Sequence, residues 1–335
     1  MKRGLTLGKY APLHLGHQFV IDQALAEMDE VVVLIYDAPD VTDIPLPVRA
    51  AWLRTLYPTI KVIEARGGPT KVGYSPAIKK AHETYVINLL GGCNITHFYS
   101  SEPYGEHMSR ALGAINRPVD LKREKFSISA TRIREDAFSH RDFVAPLVYR
   151  DLITKVAFLG APSAGKTTLA RHISRLFQTA WMPEYGREYW EKHQIDRRLT
   201  PEQLVEIAEG HLEREDALLL QSNRYLFCDT NALTTAIFAE YYHRCVNPRL
   251  REIADQAAER YDLTFVCDID IPYEDTWDRS GEVNRAVFQQ QIIEDLLERN
   301  IPYFLISGNL QERTMAVRRV LENFRKYKKL APLRR

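Results

Sequence analysis

Two stretches of this chain carry side chains suited to holding polyphosphate. The first is Gly8-Lys9-Tyr10-Ala11-Pro12-Leu13-His14-Leu15-Gly16-His17. Imidazoles at His14 and His17 can donate hydrogen bonds to phosphate oxygens and stabilise charge as it moves onto a leaving group. Gly8 and Lys9 precede them, and Gly16 lets a backbone approach an anion closely. Taken alone, such a histidine pair also suits a metal ion or a packed core. The second stretch, Gly160-Ala161-Pro162-Ser163-Ala164-Gly165-Lys166-Thr167, is a complete G-x-x-x-x-G-K-[ST] loop, followed by Thr168. Backbone N–H groups of such a loop around Ser163 cradle phosphates, Lys166 reaches the outer ones, and Thr167 holds Mg²⁺.

Further groups cluster around each stretch. Ile128-Ser129-Ala130-Thr131-Arg132-Ile133-Arg134 offers two hydroxyls at a helix start and two guanidiniums close behind. Ser129, Thr131 and Arg134 suit the outer phosphates of ATP; an ordinary capped helix with solvated arginines is the alternative. Ser101, Glu102 and Tyr104 follow a strand end and are expected to line a nucleotide pocket. Lys9 and Lys71 are weaker candidates, because most lysines are simply solvated. Trp52 suits ring stacking, but an aromatic on an amphipathic helix is more often core. Around the second loop, Asp229 ends the apolar run Tyr225–Cys228, where a carboxylate can serve Mg²⁺ or accept a hydroxyl proton. Glu184 is a second candidate base. The segment from Tyr273 to Gly281, with Trp277 and Arg279, reads as a lid bringing a positive charge to a transferred phosphoryl group.

These residues need strand ends and helix starts to position them, and the hydropathy pattern supplies both. Apolar runs at Gly4–Tyr10, Val31–Tyr36, Ile60–Ala65 and His97–Ser100 alternate with helical periodicity at Leu15–Met28, Val48–Leu56 and Pro76–Leu90. A strand at Lys155–Gly160, a helix at Gly165–Phe177 and further strands at Tyr225–Cys228, Leu263–Cys267 and Tyr303–Ile306 repeat the scheme. Thr200-Pro201-Glu202-Gln203 spells a capping box that opens a long helix, and a last helix is expected over Gln311–Tyr327. Alternating strands and helices imply mostly parallel sheets covered on both faces. The expected fold class is α/β, as two parallel-sheet, three-layer domains with boundaries at 1–150 and 154–330.

The chain has 335 residues, 45% of them hydrophobic and 27% charged, with a net charge of +1. That length suits two domains with separate cores. The charge balance argues against bulk nucleic-acid binding, which needs many basic phosphate contacts. Cys93, Cys228, Cys245 and Cys267 show no C-x-x-C spacing, so no zinc knuckle or redox pair is indicated. Their usage fits a reducing cytoplasm. The apolar runs are too short to span a bilayer, so no stable membrane association is expected. The basic end Lys328–Arg335 reads as a solvated tail.

The H-x-G-H loop taken with Ser129–Arg134 resembles the nucleotidyltransferase α/β phosphodiesterase superfamily over residues 1–150. That transferase, with the loop at Gly160–Thr167, Asp229–Asn231 and Trp277–Gly281 behind it, resembles the NadR family. The resemblance implies a Rossmann-like adenylyltransferase followed by a P-loop kinase, using ATP as co-substrate and Mg²⁺ as cofactor. It implies that nicotinamide riboside is phosphorylated to nicotinamide mononucleotide in the second domain and adenylylated to NAD and pyrophosphate in the first. His14, His17, Lys166, Asp229 and Glu184 would be catalytic. Because the chain begins at a transferase strand, the form without an N-terminal helix-turn-helix domain is expected, and no nucleic-acid partner. A homo-oligomer stays open. Two rival readings also stand: a fused phosphopantetheine adenylyltransferase and dephospho-coenzyme A kinase, and a nucleotide-sensing regulator with little turnover.

Overall fold

The run Glu30–Tyr36 is buried at every residue but its first, as a strand covered on both faces must be. In the structure, a computed structural model, it lies inside a five-stranded parallel sheet. The structure describes residues 1–71, 73, 75–195, 198–273 and 284–328. Contacts group the chain into one unit of residues 1–149 with the segment from Arg325, and another of residues 150–324.

The first unit runs β1 (Arg3–Gly8), α1 (Leu15–Glu27), β2 (Glu30–Tyr36), α2 (Leu46–Leu56), β3 (Lys61–Ala65), α3 (Pro76–Leu90), β4 (His97–Ser100), α4 (Gly105–Leu112), β5 (Ile115–Pro118) and α5 (Ala130–Glu135). A 3-10 turn at Arg141–Phe143 leads into α6 (Pro146–Leu152), where the division between the units falls. The strand order is β3-β2-β1-β4-β5, all parallel. Chain order reverses between β1 and β4, and the carboxyl ends of strands at such a switch point frame a ligand crevice. Leu5, Val32, Leu34 and Phe98 of the sheet pack with Val86 and Leu90 of α3 and Met108 of α4.

The second unit runs β6 (Thr154–Leu159), α7 (Lys166–Leu176), β7 (Trp181–Met182), α8 (Tyr185–His193), α9 (Pro201–Leu219), β8 (Tyr225–Asp229), α10 (Ala232–His243), α11 (Pro248–Arg260), β9 (Leu263–Cys267), α12 (Arg285–Glu298), β10 (Phe304–Ile306) and α13 (Leu310–Asn323). Its parallel order is β10-β9-β6-β8-β7. Two apolar cores form. One packs Val156, Phe158, Phe227 and Phe265 with Leu169 and Ile173 of α7 and Val317 of α13. The other packs α9, α10, α11 and α12 through residues such as Ile207, Leu233, Ile253 and Ile292. The strand pairing sets Phe158 opposite Asp229, so β8 ends beside the loop that leaves β6.

Local chemistry explains the ends of several elements. Thr200 and Gln203 form the reciprocal capping box their spacing predicts. β1 stops at Gly8 rather than running to Tyr10, because Tyr10 turns to a φ of 46°. α13 ends at Asn323, short of the expected Tyr327; Phe324 is extended and the segment from Arg325 groups with the first unit. β5 escapes sequence detection because all four residues are exposed on a sheet edge and it carries no apolar run. The four cysteines are all free thiols, with Cys228 and Cys267 buried. Among the described residues, no helix is long and apolar enough to cross a membrane.

Candidate active sites

In the first unit a cavity of about 550 Å³ opens at the switch point, lined by Gly8–Ala11 after β1 and by Ser100–Glu102 after β4. His14 is the N-cap of α1: its Nδ1 accepts the amide of Gly16 at 3.1 Å. A neutral imidazole that accepts at Nδ1 carries its proton on Nε2, so His14 is a donor there. His17 stacks on His14 with ring centroids 3.7 Å apart, and Tyr10 meets the His17 ring edge-on at 5.0 Å. Burial, then the charge of Arg123, lowers the pKa of His14 to about 4. Burial, His14 and Arg123 push His17 down as well. The Nδ1 of His17 is buried with no hydrogen-bond partner.

The cations expected from sequence divide. Lys9 and Arg134 both line the cavity. Burial, then the like charge of Arg134, lowers the pKa of Lys9, so the two cations share one neighbourhood. Arg134 donates to the carbonyl of Ala11 and, at 3.0 Å, to the hydroxyl of Thr131. Ser129 caps α5 by accepting the amide of Arg132 at 3.3 Å, and it lines the cavity with Thr131. Ser101, Glu102 and Tyr104 line it too, with the Tyr104 hydroxyl anchored on the carbonyl of Leu7 at 2.9 Å. Lys71 is exposed and is not among the lining residues. Trp52 is fully buried core.

Sequence reasoning missed two arginines here. Arg123 lines the cavity and pairs with Glu102 at 2.6 Å. Arg49 is buried on α2 and donates to the carbonyls of Lys9, Tyr36, Asp37 and Ile44. One guanidinium thus ties the loop after β1 to the end of β2. Nothing local marks Arg49: it stands on an amphipathic helix like any solvated arginine, and only the tertiary fold brings four carbonyls around it.

In the second unit the loop from Gly160 to Thr167 connects β6 to α7. Gly160 has a φ of 139°, and a Cβ there would stand 2.7 Å from the carbonyl oxygen of Cys267. Gly165 caps α7 with a φ of 81°; both positions need glycine. Lys166 folds its ammonium over the loop, donating to the carbonyls of Gly160 at 2.9 Å and Ala161 at 3.0 Å. Thr167 donates from its hydroxyl to Oδ2 of Asp229 at 2.5 Å. Asp229 is fully buried, and its Oδ1 has no partner. Burial, then the charge of Glu184, raises its pKa to about 6, which puts Glu184 within electrostatic reach of the same point. Glu184 is the N-cap of α8 and pairs with Arg187 at 3.4 Å. Thr168 is exposed on the first turn of α7. Of the lid expected over 273–281, all but Tyr273, and so Trp277 and Arg279, lies outside the described residues.

The loop is held from behind by side chains that sequence reasoning also missed. Gln289 accepts the amide of Ala161 at 2.9 Å and donates to the carbonyl of Cys267 at 3.1 Å. Arg285 donates to the carbonyl of Ser163 at 3.1 Å. Arg313 donates to the carbonyls of Ala164, Gly308 and Asp268 and pairs with Asp270. All three are buried and come from α12 and α13, more than a hundred residues after the loop.

Comparison with known proteins falls into line with this geometry. The cytidylyltransferase-like family profile matches residues 5–136, and an AAA domain profile matches residues 155–313. The trifunctional NAD biosynthesis/regulator protein NadR of Escherichia coli strain K12 is 29% identical over 329 residues, covering 90% of this chain and 77% of that one. Its counterpart from Salmonella typhimurium strain LT2 is 28% identical over 331 residues, with the same coverage. The chain is a homologue of these NadR proteins over nine-tenths of its length.

The likeness extends to the fold. A crystal structure of NadR protein in complex with NAD and AMP-PNP superposes with a TM-score of 0.58 at 24% identity, covering 100% of this chain and 98% of that one. A second, in complex with NR, has the same TM-score and coverage at 23% identity. The two profile matches fall one in each unit. The Rossmann-like H-x-G-H unit precedes the P-loop unit, as the sequence resemblance implies.

Proposed function

We propose that this chain makes NAD from nicotinamide riboside in two ATP-dependent steps, one in each unit. The observation that carries the reading is that each unit assembles a phosphate-handling site at the carboxyl edge of its own parallel sheet. The NadR relatives are NAD-biosynthesis proteins by name, and structures of NadR protein hold NAD, AMP-PNP and NR.

In the second unit the 5′-hydroxyl oxygen of nicotinamide riboside attacks the γ-phosphorus of ATP. The bond to the bridging oxygen breaks, and ADP and nicotinamide mononucleotide form. Catalysis of this transfer is mainly positioning and charge stabilisation. The loop amides around Ser163 and Gly165 and the Lys166 ammonium hold the outer phosphates. Mg²⁺ fits the donor set present here, because Thr167 and Asp229 meet at the loop mouth and Oδ1 of Asp229 has no protein partner. When bound, the ion offsets negative charge on the phosphates. That pairing assigns Asp229 with Thr167 to the cation, and Glu184 to the hydroxyl proton. The sequence by itself puts Asp229 first for that proton and Glu184 second, with Asp229 also able to serve Mg²⁺.

In the first unit a phosphate oxygen of the mononucleotide attacks the α-phosphorus of a second ATP, and pyrophosphate leaves. His14, as Nε2 donor, and His17 stabilise the charge arriving on the departing phosphates. Lys9, Arg134 and Arg123 supply a positive field in the same cavity. We place the enzyme in a reducing cytoplasm, since its four cysteines are free thiols.

Product analysis by chromatography tests the proposal. Nicotinamide riboside with ATP should yield the mononucleotide and ADP, and the mononucleotide with ATP should yield NAD and pyrophosphate. Turnover of phosphopantetheine, with none of either nicotinamide substrate, would replace the reading with a coenzyme A enzyme.

A further inference from the structure

β8 ends in Asp229 and continues into a residue that the phosphate chemistry leaves unused. Thr230 has a φ of 68°, in the left-handed region where a β-branched residue is a genuine outlier. Its amide donates to the carbonyl of Phe158 at 3.0 Å, which pins this corner to the strand leading into the P-loop. The residue is only 8% exposed, yet its hydroxyl has no hydrogen-bond partner. One helical turn on, Thr234 is 6% exposed and its hydroxyl is likewise without a partner. Asn231 between them is spent on capping α10, accepting the amide of Leu233 at 3.1 Å.

Each feature is unfavourable by itself. Buried side-chain hydroxyls are normally satisfied, and a strained backbone persists only where something else requires it. Glycine at 230 would relieve the backbone, and valine at 234 would remove an orphaned hydroxyl. Thr230 directly follows the carboxylate that contacts Thr167 of the P-loop, and Thr234 lies four residues further on. The P-loop amides and Lys166 already serve the phosphates, so a neutral hydroxyl pair is not needed for anion binding. A hydroxyl both donates and accepts, and an uncharged ribose hydroxyl answers it in either sense. The acceptor nucleoside must bring its 5′-oxygen to this corner, and its ribose carries two more hydroxyls.

We propose that Thr230, supported by Thr234, reads the ribose hydroxyls of the acceptor nucleoside in the kinase site. The inference rests on the kinase reading above, and the experiment separates the two. The full-length wild-type chain is assayed first with nicotinamide riboside and ATP; no mononucleotide product would remove the kinase reading, and this inference with it. Thr230→Val is then compared using nicotinamide riboside and its 2′- and 3′-deoxy analogues. The KM for the riboside should rise about tenfold, the size of one lost hydrogen bond, while the KM for ATP stays within about twofold. The preference for the riboside over one deoxy analogue should fall by a similar factor. Thr230→Ser, which restores a hydroxyl, should bring the KM back towards the wild-type value. Thr234→Val should shift the KM in the same direction by less. If Thr230→Val does not fold, as judged by its thermal melt, Thr230→Gly, which accepts the left-handed backbone, takes its place. An unchanged riboside KM, an equal rise in the KM for ATP, or intact discrimination against both deoxy analogues would overturn the assignment.

Discussion

The two units hold their phosphate loops by the same device and arm them differently. In the first, the loop after β1 is fixed by Arg49, which donates only to backbone carbonyls. In the second, the loop after β6 is fixed by Arg285, Arg313 and Gln289, and Arg313 has a carboxylate partner in Asp270. The active groups then diverge. The first loop presents two stacked imidazoles whose burial keeps them neutral near pH 7. The second presents a lysine and a chain of amides. Neutral donors suit a transfer in which charge builds on a departing pyrophosphate, and they cost less to bury than fixed cations. An ammonium at the P-loop is tolerated because loop carbonyls solvate it, at 2.9 and 3.0 Å.

The sharpest way to probe this contrast is through Asp229 and Glu184, the carboxylates of the second site. Glu184→Gln should lower the kinase plateau by roughly 10²–10⁴-fold, as loss of a general base does, with little change in the Mg²⁺ needed for half-maximal rate. Asp229→Asn should move that Mg²⁺ curve to higher concentration. Kinase rate measured against Mg²⁺ for both variants decides the matter, and the opposite pattern exchanges the two roles. Neither change should touch adenylyl transfer.

Next in size is the independence of the two sites. Loss of a preorganised charge stabiliser costs about 10²–10³-fold. His17→Ala should therefore cripple adenylyl transfer and spare the kinase, and Lys166→Ala should do the reverse. Separate assays of the two half-reactions read this directly. Either variant losing both activities while still folded would break the two-site comparison.

The buried arginines should separate the units by stability. Arg49→Met removes a donor from four carbonyls, and the buried one, of Tyr36, alone is worth about 1–3 kcal/mol when left unsatisfied. It should lower the unfolding midpoint and raise the KM for ATP in adenylyl transfer alone. Arg313→Met should act on the kinase alone. Denaturant unfolding with both activity assays checks the pair, and a common effect on both activities would show that the loops are not fixed separately.

The smallest effect expected is the pH dependence that His14 contributes to the first unit. His14 titrates at about 4 in the folded chain against about 6.5 when unfolded. Between those values the unfolded state binds more protons, so stability falls as pH drops through this window. At pH 5 the loss from His14 is about 2 kcal/mol. Denaturant melts from pH 7 to 4.5 should show a shallower slope for His14→Gln than for the wild type. Equal slopes would show that His14 is not the buried neutral donor described.

Both phosphate loops were legible in the chain because their chemistry is local. A helix N-terminus needs a cap, and a P-loop needs glycine where φ turns positive, so residue type and spacing mark both without tertiary help. The alternation of apolar runs announced two parallel sheets for the same reason: a strand buried on both faces cannot hide its composition. Asp229 was legible as the end of such a run. Strand pairing then set it opposite Phe158 and beside Thr167, and that contact is the support for the cation role proposed above. β5 left no trace, because an exposed edge strand of Ile-Asn-Arg-Pro has no apolar signature.

The sequence by itself determined the phosphate chemistry, the α/β class and the order of the two units, since each depends on contacts within a few residues along the chain. Only the tertiary structure decided what holds that chemistry in place. Arg49, Arg285, Gln289 and Arg313 act across separations set by sheet order, on carbonyls and amides every residue possesses. A backbone carbonyl has no sequence signature, so the side chain that binds one looks like any polar residue until the fold brings them together.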